Sequence, residues 1–396
     1  MTHPVEHGSD SFFSRFEISP KVKSCIVIPV KDEEAYILKT LTAFLMQVDV
    51  FGEPFDSRQF EILVLANNCS DHSVACIREF QHQHPHLNIY LEEVTLPPGQ
   101  ANIGYVRRKL MECAYSRLCK NGGGIIMTTD GDTTVSPDWI GQTQREIHNG
   151  ADAVGGRILL YPDELAGLDE VTRLYHGKDE KYQLLIAELE GKMISSGFDP
   201  VPRHHQHFNG SFAITTECYE RSGGVPVVKY LEDCAFFERL ESIDARIRHS
   251  YQVNVHTSAR CIGRTEVGLS YQLNVWKNLG HPVGDYLVES CASVISRLTQ
   301  KRSLMALWES RDQTNRPDFY RIMKQTVPEI PAGEEIYNSF NTSLYFGEWY
   351  ARVNHLKQMP FHKRYPDVPI DTAIKDLQTR LHDLSSNHNF SQTSIL

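Results

Sequence analysis

The stretch Gly124-Ile-Ile-Met-Thr-Thr-Asp-Gly-Asp132 joins a short apolar run to two carboxylates. Such a run is typical of a buried strand in a parallel sheet. Residues two apart in an extended chain point the same way, so Asp130 and Asp132 are expected to converge. Carboxylates so close repel each other unless a cation lies between them, and hard divalent ions prefer oxygen ligands. A surface turn is the alternative, because Asp-Gly is a common turn pair.

The chain before this stretch alternates between strand and helix patterns. Strands are predicted at 25–30, 61–65 and 87–94, and helices at 36–47 and 101–119. This alternation predicts an α/β fold with a doubly wound, mainly parallel sheet. Polar clusters follow the first, second and fourth predicted strands. Ligands of such sheets bind beyond the carboxyl ends of the strands, so we expect the functional site at that edge.

The pattern changes near residue 271, where helical spacing of apolar residues replaces the alternation. A chain of 396 residues also exceeds what one hydrophobic core usually fills. We therefore expect three parts: a flexible N-terminal arm at 1–20, an α/β domain at 21–270 and a helical C-terminal extension at 271–396.

Composition argues against several classes of protein. The formal net charge of −10 disfavours a nucleic-acid surface, which needs clustered Lys and Arg. The nine cysteines include no C-x-x-C pair, which favours free thiols in a reducing compartment. No run approaches the roughly 20 apolar residues that span a bilayer, and the N-terminus lacks an apolar signal region. We expect a cytoplasmic protein without a transmembrane segment, and a homodimer stays open as its oligomeric state.

Four segments resemble the nucleotide-sugar glycosyltransferases of the GT-A fold, particularly family 2. The resemblance covers about residues 22 to 267, and the remaining C-terminal residues lie outside it. Each segment is a weak signal alone, and the four together in this order are a strong one. The segments are Ile28-Pro-Val-Lys-Asp-Glu-Glu34, Asn67-Asn-Cys-Ser-Asp-His-Ser73, Asp130-Gly-Asp132 and Tyr230-Leu-Glu-Asp-Cys-Ala-Phe236.

The resemblance implies a donor site and a metal site. It assigns Asp130 and Asp132 to the metal, and it suggests His256 as a third ligand, as in glucosyl-3-phosphoglycerate synthases. Arginines after His256 are suited to clamp a diphosphate or an acidic acceptor by paired hydrogen bonds. For single residues, ordinary surface roles stay open, such as a solvated first-turn acid or an exposed ion-pairing arginine. The predicted donor-binding residues are Pro29, Val30, Glu33, Asn67, Ser70, Arg107, Asp130, Gly210, Arg260 and Arg264.

The pair Glu232-Asp233 is the predicted catalytic group. An acceptor hydroxyl is a poor nucleophile until a carboxylate takes its proton, and the resemblance gives that role to Asp233. Glu232 is then an acceptor-positioning or structural group. A helix N-cap is the alternative for Asp233, because Asp fills that position well.

These observations predict an enzyme, a hexosyltransferase that moves a sugar from a UDP- or GDP-sugar to an unidentified acceptor hydroxyl with Mn²⁺ or Mg²⁺. Inversion with Asp233 as base is favoured. A retaining enzyme of the glucosyl-3-phosphoglycerate synthase type is one alternative. A nucleotidyltransferase is another, although the residues after the first strand, Lys31-Asp-Glu-Glu34, lack the glycines of its usual loop. A binding module without turnover is the third.

Overall fold

The computed structural model of the chain describes residues 12–194, 196–228, 230–261, 268–279, 285–330 and 333–392. The chain forms two compact units. The first takes in residues up to 168, 206–240 and 245–273, and the second takes in 169–205, 241–244 and the residues from 274 onward.

The described residues form strands, α-helices and two short 3₁₀ helices. The strands are β1 Ser24–Val30, β2 Phe60–Asn67, β3 Ile89–Val94, β4 Ile125–Thr129, β5 Thr133–Val135, β6 Ala153–Leu160, β7 Ser211–Thr215, β8 Ile247–Thr257, β9 Leu287–Val288 and β10 Val368–Pro369. The α-helices are α1 Ile37–Thr42, α2 Ser73–Gln83, α3 Ile103–Cys119, α4 Trp139–His148, α5 Pro162–Gly167, α6 Glu170–Met193, α7 Thr216–Ser222, α8 Glu232–Ser242, α9 Leu269–Asn278, α10 Cys291–Glu309, α11 Arg316–Thr326, α12 Glu334–Thr342, α13 Phe346–Arg364 and α14 Ile370–Gln392. The 3₁₀ helices are Ser57–Gln59 and Arg311–Gln313.

One eight-stranded sheet, in the order β3-β2-β1-β4-β7-β6-β8-β5, organises the first unit. The strands β3, β2, β1 and β4 run parallel, whereas β7 and β5 are antiparallel to their neighbours. Every residue of β1 and β2 is buried, which explains why both sequences are mostly apolar. The predicted α/β class with a mainly parallel sheet and a helical C-terminal region is confirmed. The carboxyl ends of β1, β2 and β4 meet at one edge, as parallel pairing requires.

The second unit has two apolar cores in its described part. One joins α6 to α10 and α14 and includes Leu189, Val294 and Leu377, all buried. The other joins α10 to α11, α12 and α13 around Phe319 and Trp349. The predicted boundary at 270/271 differs from this division, because α6 lies earlier in the chain. The apolar face of α6 packs on α10 and α14, which begin about 100 and about 180 residues after α6 ends, and local spacing does not reveal such pairings.

The described part of the predicted N-terminal arm, residues 12–20, is packed rather than loose. The Phe13 side chain is only 1% exposed, and its amide donates to Glu92 Oε1 at 3.2 Å. Arg117 donates to the carbonyl oxygens of Phe13 and Phe16 at 3.2 and 2.5 Å. This buried arginine also pairs with Glu61 on β2 at 2.7 Å. Its cation therefore ties the arm to the sheet.

The structure also bears on membrane insertion. Among the described residues, none of the helices combines the length and the apolar composition that crossing a bilayer requires.

Gly155 on β6 is a point where two backbone segments nearly touch. A Cβ at this residue would lie 2.4 Å from the Gln206 carbonyl oxygen, an atom that cannot rotate away. We expect Gly155→Ala to lower the free energy of unfolding by roughly 1–3 kcal/mol, measured by urea denaturation. Gly167→Ala is the control, because no neighbouring atom lies within 4 Å of its added Cβ. Equal stabilities of the two variants would contradict the close approach.

Candidate active site

The candidate site begins where β4 ends, in a turn over residues 130–133. The Thr133 amide donates to the Asp130 carbonyl oxygen at 3.2 Å, so the chain turns here instead of continuing extended. The turn, which was the alternative interpretation of Asp130-Gly131-Asp132, is the observed conformation. The carboxylates of Asp130 and Asp132 consequently have different partners. They remain close enough that the charge of Asp130 raises the pKa of Asp132, although burial raises that pKa more.

Arg107 on α3 is the cationic partner of Asp130. Its side chain is 2% exposed and donates through Nη2 to Asp130 Oδ1 and through Nη1 to the Thr129 carbonyl oxygen at 3.2 Å. The side chain of Asn102 caps α3 by accepting from the Tyr105 amide at 2.9 Å. This cap starts the helix just before Arg107. The predicted basic residue therefore lies at the end of β4, bonded to the first aspartate.

Two glycines allow close approach around the aspartates. A Cβ on Gly131 would lie 3.0 Å from Glu33 Cγ, and one on Gly210 would lie 3.2 Å from Asp130 Oδ2. The Thr129 hydroxyl donates to the Gly210 carbonyl oxygen at 3.0 Å and holds that loop in place. The predicted donor-site residue Gly210 therefore lies beside Asp130, where a larger residue would crowd the carboxylate.

Asp132 is 8% exposed and has two polar partners on the chain after β8. Ser258 Oγ donates to its Oδ2 at 2.9 Å, and Arg260 Nη2 lies 2.9 Å from the same oxygen. Burial raises the pKa of Asp132, whereas Arg260 and the Ser258 hydrogen bond oppose that rise.

Glu33 and Arg260 form a two-pronged ion pair. Arg260 Nη1 donates to Glu33 Oε2 and Nη2 donates to Oε1, both at 2.8 Å. The Glu33 side chain is buried, and its backbone amide donates to Ser73 Oγ at 2.6 Å. Glu33 is therefore not a solvated acid in the first turn of a helix. Burial acts to lower the pKa of Arg260, but Glu33 and Asp132 raise it overall.

The Glu232-Asp233 pair begins α8, and its two side chains lie in different surroundings. Glu232 is buried, and Asn209 Nδ2 donates to its Oε1 at 3.4 Å. Burial raises the pKa of Glu232, and the charge of Arg107 opposes this rise. Asp233 is half-buried, and its Oδ1 accepts from the Cys234 amide at 2.8 Å. Glu232 thus faces the residues around Asp130, whereas Asp233 remains partly open to solvent.

The first and second strands supply the remaining predicted donor residues. Pro29 and Val30 are buried on β1, and Asn67 is buried at the end of β2. Ser70 follows β2, and its amide and hydroxyl donate to Asp32 Oδ1 at 2.6 and 3.1 Å. Asp32 has a positive φ of 55°, which lets its side chain reach across to the β2 loop. The hydroxyl of Ser70 therefore holds the two loops together.

His256, the predicted third metal ligand, does not form a tight group with the two aspartates, because ligand atoms of these three residues do not all lie within 4.8 Å of one another. Thr257 Oγ1 lies 3.4 Å from Asp132 Oδ1, and successive strand residues point to opposite faces. The His256 ring instead lies near the Tyr161 ring, with centroids 6.4 Å apart and planes at 17°. Burial, together with the charge of Lys39, lowers the pKa of His256.

The described residues contain one tight group of potential metal ligands, and it is not the predicted one. Ligand atoms of Asp32, Cys69 and Asp71 lie within 4.8 Å of one another. Their carboxylates already accept hydrogen bonds within the loops after β1 and β2, such as Ser73 N to Asp71 Oδ1 at 2.9 Å. We therefore interpret this group as part of the loop structure. The predicted residue Arg264 lies outside the described residues.

The sequence matches a known family over much of the first unit. Residues 25–198 match the family model described as Glycosyl transferase family 2. The chain carries a family 2 glycosyltransferase domain. The prediction of a glycosyltransferase of this kind is confirmed. The match includes Asp130-Gly131-Asp132 and ends before α8 and β8, so Glu232, Asp233 and Arg260 lie beyond it.

Solved structures resemble the chain only distantly, and no protein of curated function matches it in sequence. A mannosyltransferase from Pyrobaculum calidifontis in complex with GDP-Man and Mn²⁺ is 15% identical, with 91% of this chain and 86% of that chain covered and a TM-score of 0.42. S. aureus TarS 1–349 in complex with UDP is 11% identical, with 93% and 92% covered and a TM-score of 0.42. Glucosyl-3-phosphoglycerate synthase from Mycobacterium tuberculosis with Mn²⁺, UDP-glucose and phosphoglyceric acid is 14% identical, with 68% and 84% covered and a TM-score of 0.37.

Sequence reasoning missed two residues that shape this glycosyltransferase site. Ser258 donates to Asp132, and Glu164 Oε2 accepts from the Ala259 amide at 2.7 Å. Glu164 thereby holds the segment that carries Ser258 and Arg260. Ser258 follows the last residue of β8, Thr257, so the alternation of the strand does not predict that its hydroxyl meets Asp132. No local pattern points to Glu164, which lies about ninety residues earlier.

The Arg107–Asp130 pair can be tested through the stability of the glycosyltransferase. We expect Arg107→Met to lower the free energy of unfolding by on the order of 1–3 kcal/mol, because a buried charged hydrogen bond is lost. The control is Arg108→Met on the same helix, since the Arg108 side chain is 30% exposed and pairs with Glu112. That change should cost less than about 1 kcal/mol. Similar losses in urea denaturation would show that the buried pair has no special role.

Proposed function

We propose that the chain transfers a sugar from a UDP- or GDP-sugar to an acceptor hydroxyl, using Mn²⁺ or Mg²⁺ and inverting the anomeric configuration. The observation that carries the proposal is the pair Asp130 and Asp132 at the carboxyl end of β4, inside the region that matches family 2. Ligands of open α/β sheets bind at this edge. The family match favours sugar transfer over nucleotidyl transfer, which was the alternative from the same sheet.

The donor nucleotide would lie along the ends of β1, β2 and β4. Pro29, Val30 and Asn67 form the buried floor there, and buried backbone with few polar groups suits a flat base and a ribose. Gly210 places no side chain against Asp130 Oδ2, from which an added Cβ would lie only 3.2 Å away. A diphosphate placed there would meet the charges of Arg107 and Arg260.

A divalent ion fits the chemistry of the two aspartates. Asp130 and Asp132 offer carboxylate oxygens, the ligands that Mn²⁺ and Mg²⁺ accept, and each carboxylate already has a cationic partner in Arg107 or Arg260. The two carboxylates are therefore stabilised by positive charge. A bound ion would neutralise the charge that develops on the leaving nucleoside diphosphate. Asp130 and Asp132 would hold it, and His256 has no part in this proposal.

Asp233 is the proposed general base. Its Oδ1 accepts one hydrogen bond from the Cys234 amide, and the side chain is half exposed, so an acceptor can reach the carboxylate. Glu232 is buried against Asn209 and is better placed to position the donor-side loop. A single displacement by a hydroxyl that Asp233 deprotonates inverts the sugar carbon. Retention, the alternative, had rested on the histidine segment, and His256 forms no tight group of ligand atoms with Asp130 and Asp132.

Removal of Asp132 tests the metal assignment. We expect Asp132→Ala to lose the gain in UDP or GDP affinity that Mn²⁺ confers, by about 10-fold or more, in isothermal titration calorimetry. Asp56→Asn is the control, because this carboxylate precedes β2 at the opposite end of the strand. Metal-dependent nucleotide binding that survives Asp132→Ala would overturn the metal assignment.

Removal of the base tests the chemical step. The readout is nucleotide release from UDP-glucose or GDP-mannose, with water in place of the acceptor. We expect Asp233→Asn to lower kcat by roughly 10²–10⁴-fold, because general base catalysis is lost, while nucleotide affinity stays within about 2-fold. Glu238→Gln, an exposed acid on the same helix, is the control and should keep full activity. Near-normal turnover of Asp233→Asn would exclude it as the base.

A further inference from the structure

Arg260 makes contacts that a donor clamp alone does not require. Its guanidinium bonds both oxygens of Glu33 at 2.8 Å, and the same Nη2 lies 2.9 Å from Asp132 Oδ2. Both carboxylates are buried. One arginine therefore supplies the positive charge for two acids that water cannot reach well.

The segment that carries Arg260 is held from several sides. The Ala259 amide donates to Glu164 Oε2 at 2.7 Å, and Ser258 donates to Asp132 at 2.9 Å. The guanidinium also lies 6.0 Å from the centroid of the Tyr36 ring. The contact between Arg260 and Asp132 is thus an anchored arrangement of the folded chain and not a loose surface pair.

A divalent cation and this guanidinium compete for the same charge. Buried carboxylates need cationic or hydrogen-bonding partners, and two cations in contact with one carboxylate oxygen repel each other. On the proposed function, Asp132 is a metal ligand. An ion that takes Asp132 Oδ2 as its ligand must then displace Arg260 from that oxygen.

We propose that Arg260 is the resident counter-ion of Asp132 and Glu33, that a divalent cation displaces it from Asp132, and that it thereby couples metal binding to donor binding. The displaced guanidinium loses an anionic partner, and the diphosphate of the donor supplies a new one. A metal ion that binds only the state in which Arg260 has left Asp132 has a lower apparent affinity when that state is rarely populated. Arg260 is accordingly a positioning residue that lowers the affinity for metal alone and raises it when nucleotide is present. This inference rests on the proposed metal-dependent function.

The test is the affinity for Mn²⁺, measured by calorimetry on the full chain with and without UDP or GDP, whichever the wild type binds. We expect Arg260→Gln to bind Mn²⁺ alone about 10-fold more tightly than the wild type, because the competing cation is gone. We also expect the nucleotide to improve the Mn²⁺ affinity of this variant less than it improves that of the wild type. A purely structural arginine would weaken metal binding when removed.

Matched variants keep the test decisive. Arg260→Lys retains the charge but loses the fork that spans two carboxylates, so it should bind Mn²⁺ several-fold more tightly than the wild type. It serves in place of Arg260→Gln if that variant does not fold. Arg246→Gln is the control, because Arg246 pairs with Asp152 at 2.9 Å away from the proposed ligands, and it should leave Mn²⁺ affinity unchanged.

The outcomes separate this inference from the proposed function. Equal or weaker Mn²⁺ binding by both Arg260 variants, with normal binding by the wild type, would overturn the counter-ion role and leave the metal site intact. Absence of Mn²⁺ binding by the wild type, even with nucleotide, would overturn the metal site and this inference together.

Discussion

Repulsion among buried carboxylates is the constraint on which the site depends. Glu33, Asp132 and Glu232 are buried near one edge of the sheet, and Asp130 is partly exposed there. Such charges are stable only with cationic or hydrogen-bonding partners. Arg107 and Arg260 supply the positive charge among the described residues, and Ser258 and Asn209 add hydrogen bonds. The two arginines divide the site into one half around Asp130 and another around Asp132.

The sheet creates this constraint because it brings distant segments to one edge. Glu33 follows β1, Asp132 follows β4, and Arg260 follows β8, yet the Arg260 side chain contacts both acids. Parallel pairing of β1 with β2 and β4 leaves their carboxyl ends side by side. The same geometry that makes the edge a ligand site also concentrates acids there. As a consequence, arginine side chains of the protein itself neutralise these acids. On the proposal above, one of them must move when a cationic ligand binds.

Much of the fold could be predicted because its first half follows simple periodicity. In β1 and in the strand before Asp130, both faces of the sheet are covered, so their sequences are mostly apolar. Such apolar runs are what allowed these two strands to be predicted. The division of the chain into two units could not be predicted in the same way. The helix α6 precedes β7 in the chain but packs on α10 and α14, and such long-range packing leaves no trace in local spacing.

The site shows the same limit at the scale of single side chains. The sequence itself shows acids after β1 and β4 and arginines on α3 and after β8. These residues are enough to predict that this edge of the sheet binds a phosphate group and a cation. Which acid meets which arginine was decided by the tertiary structure alone. The turn at residues 130–133 separates two aspartates that an extended chain would align, and the register of β8 brings Thr257 to Asp132 and turns His256 away. The turn is closed by a local backbone hydrogen bond from Thr133 to Asp130, whereas the register of β8 is set by its pairing with β5, a segment far away in the chain. These bonds set the directions of side chains that the order of residues leaves open.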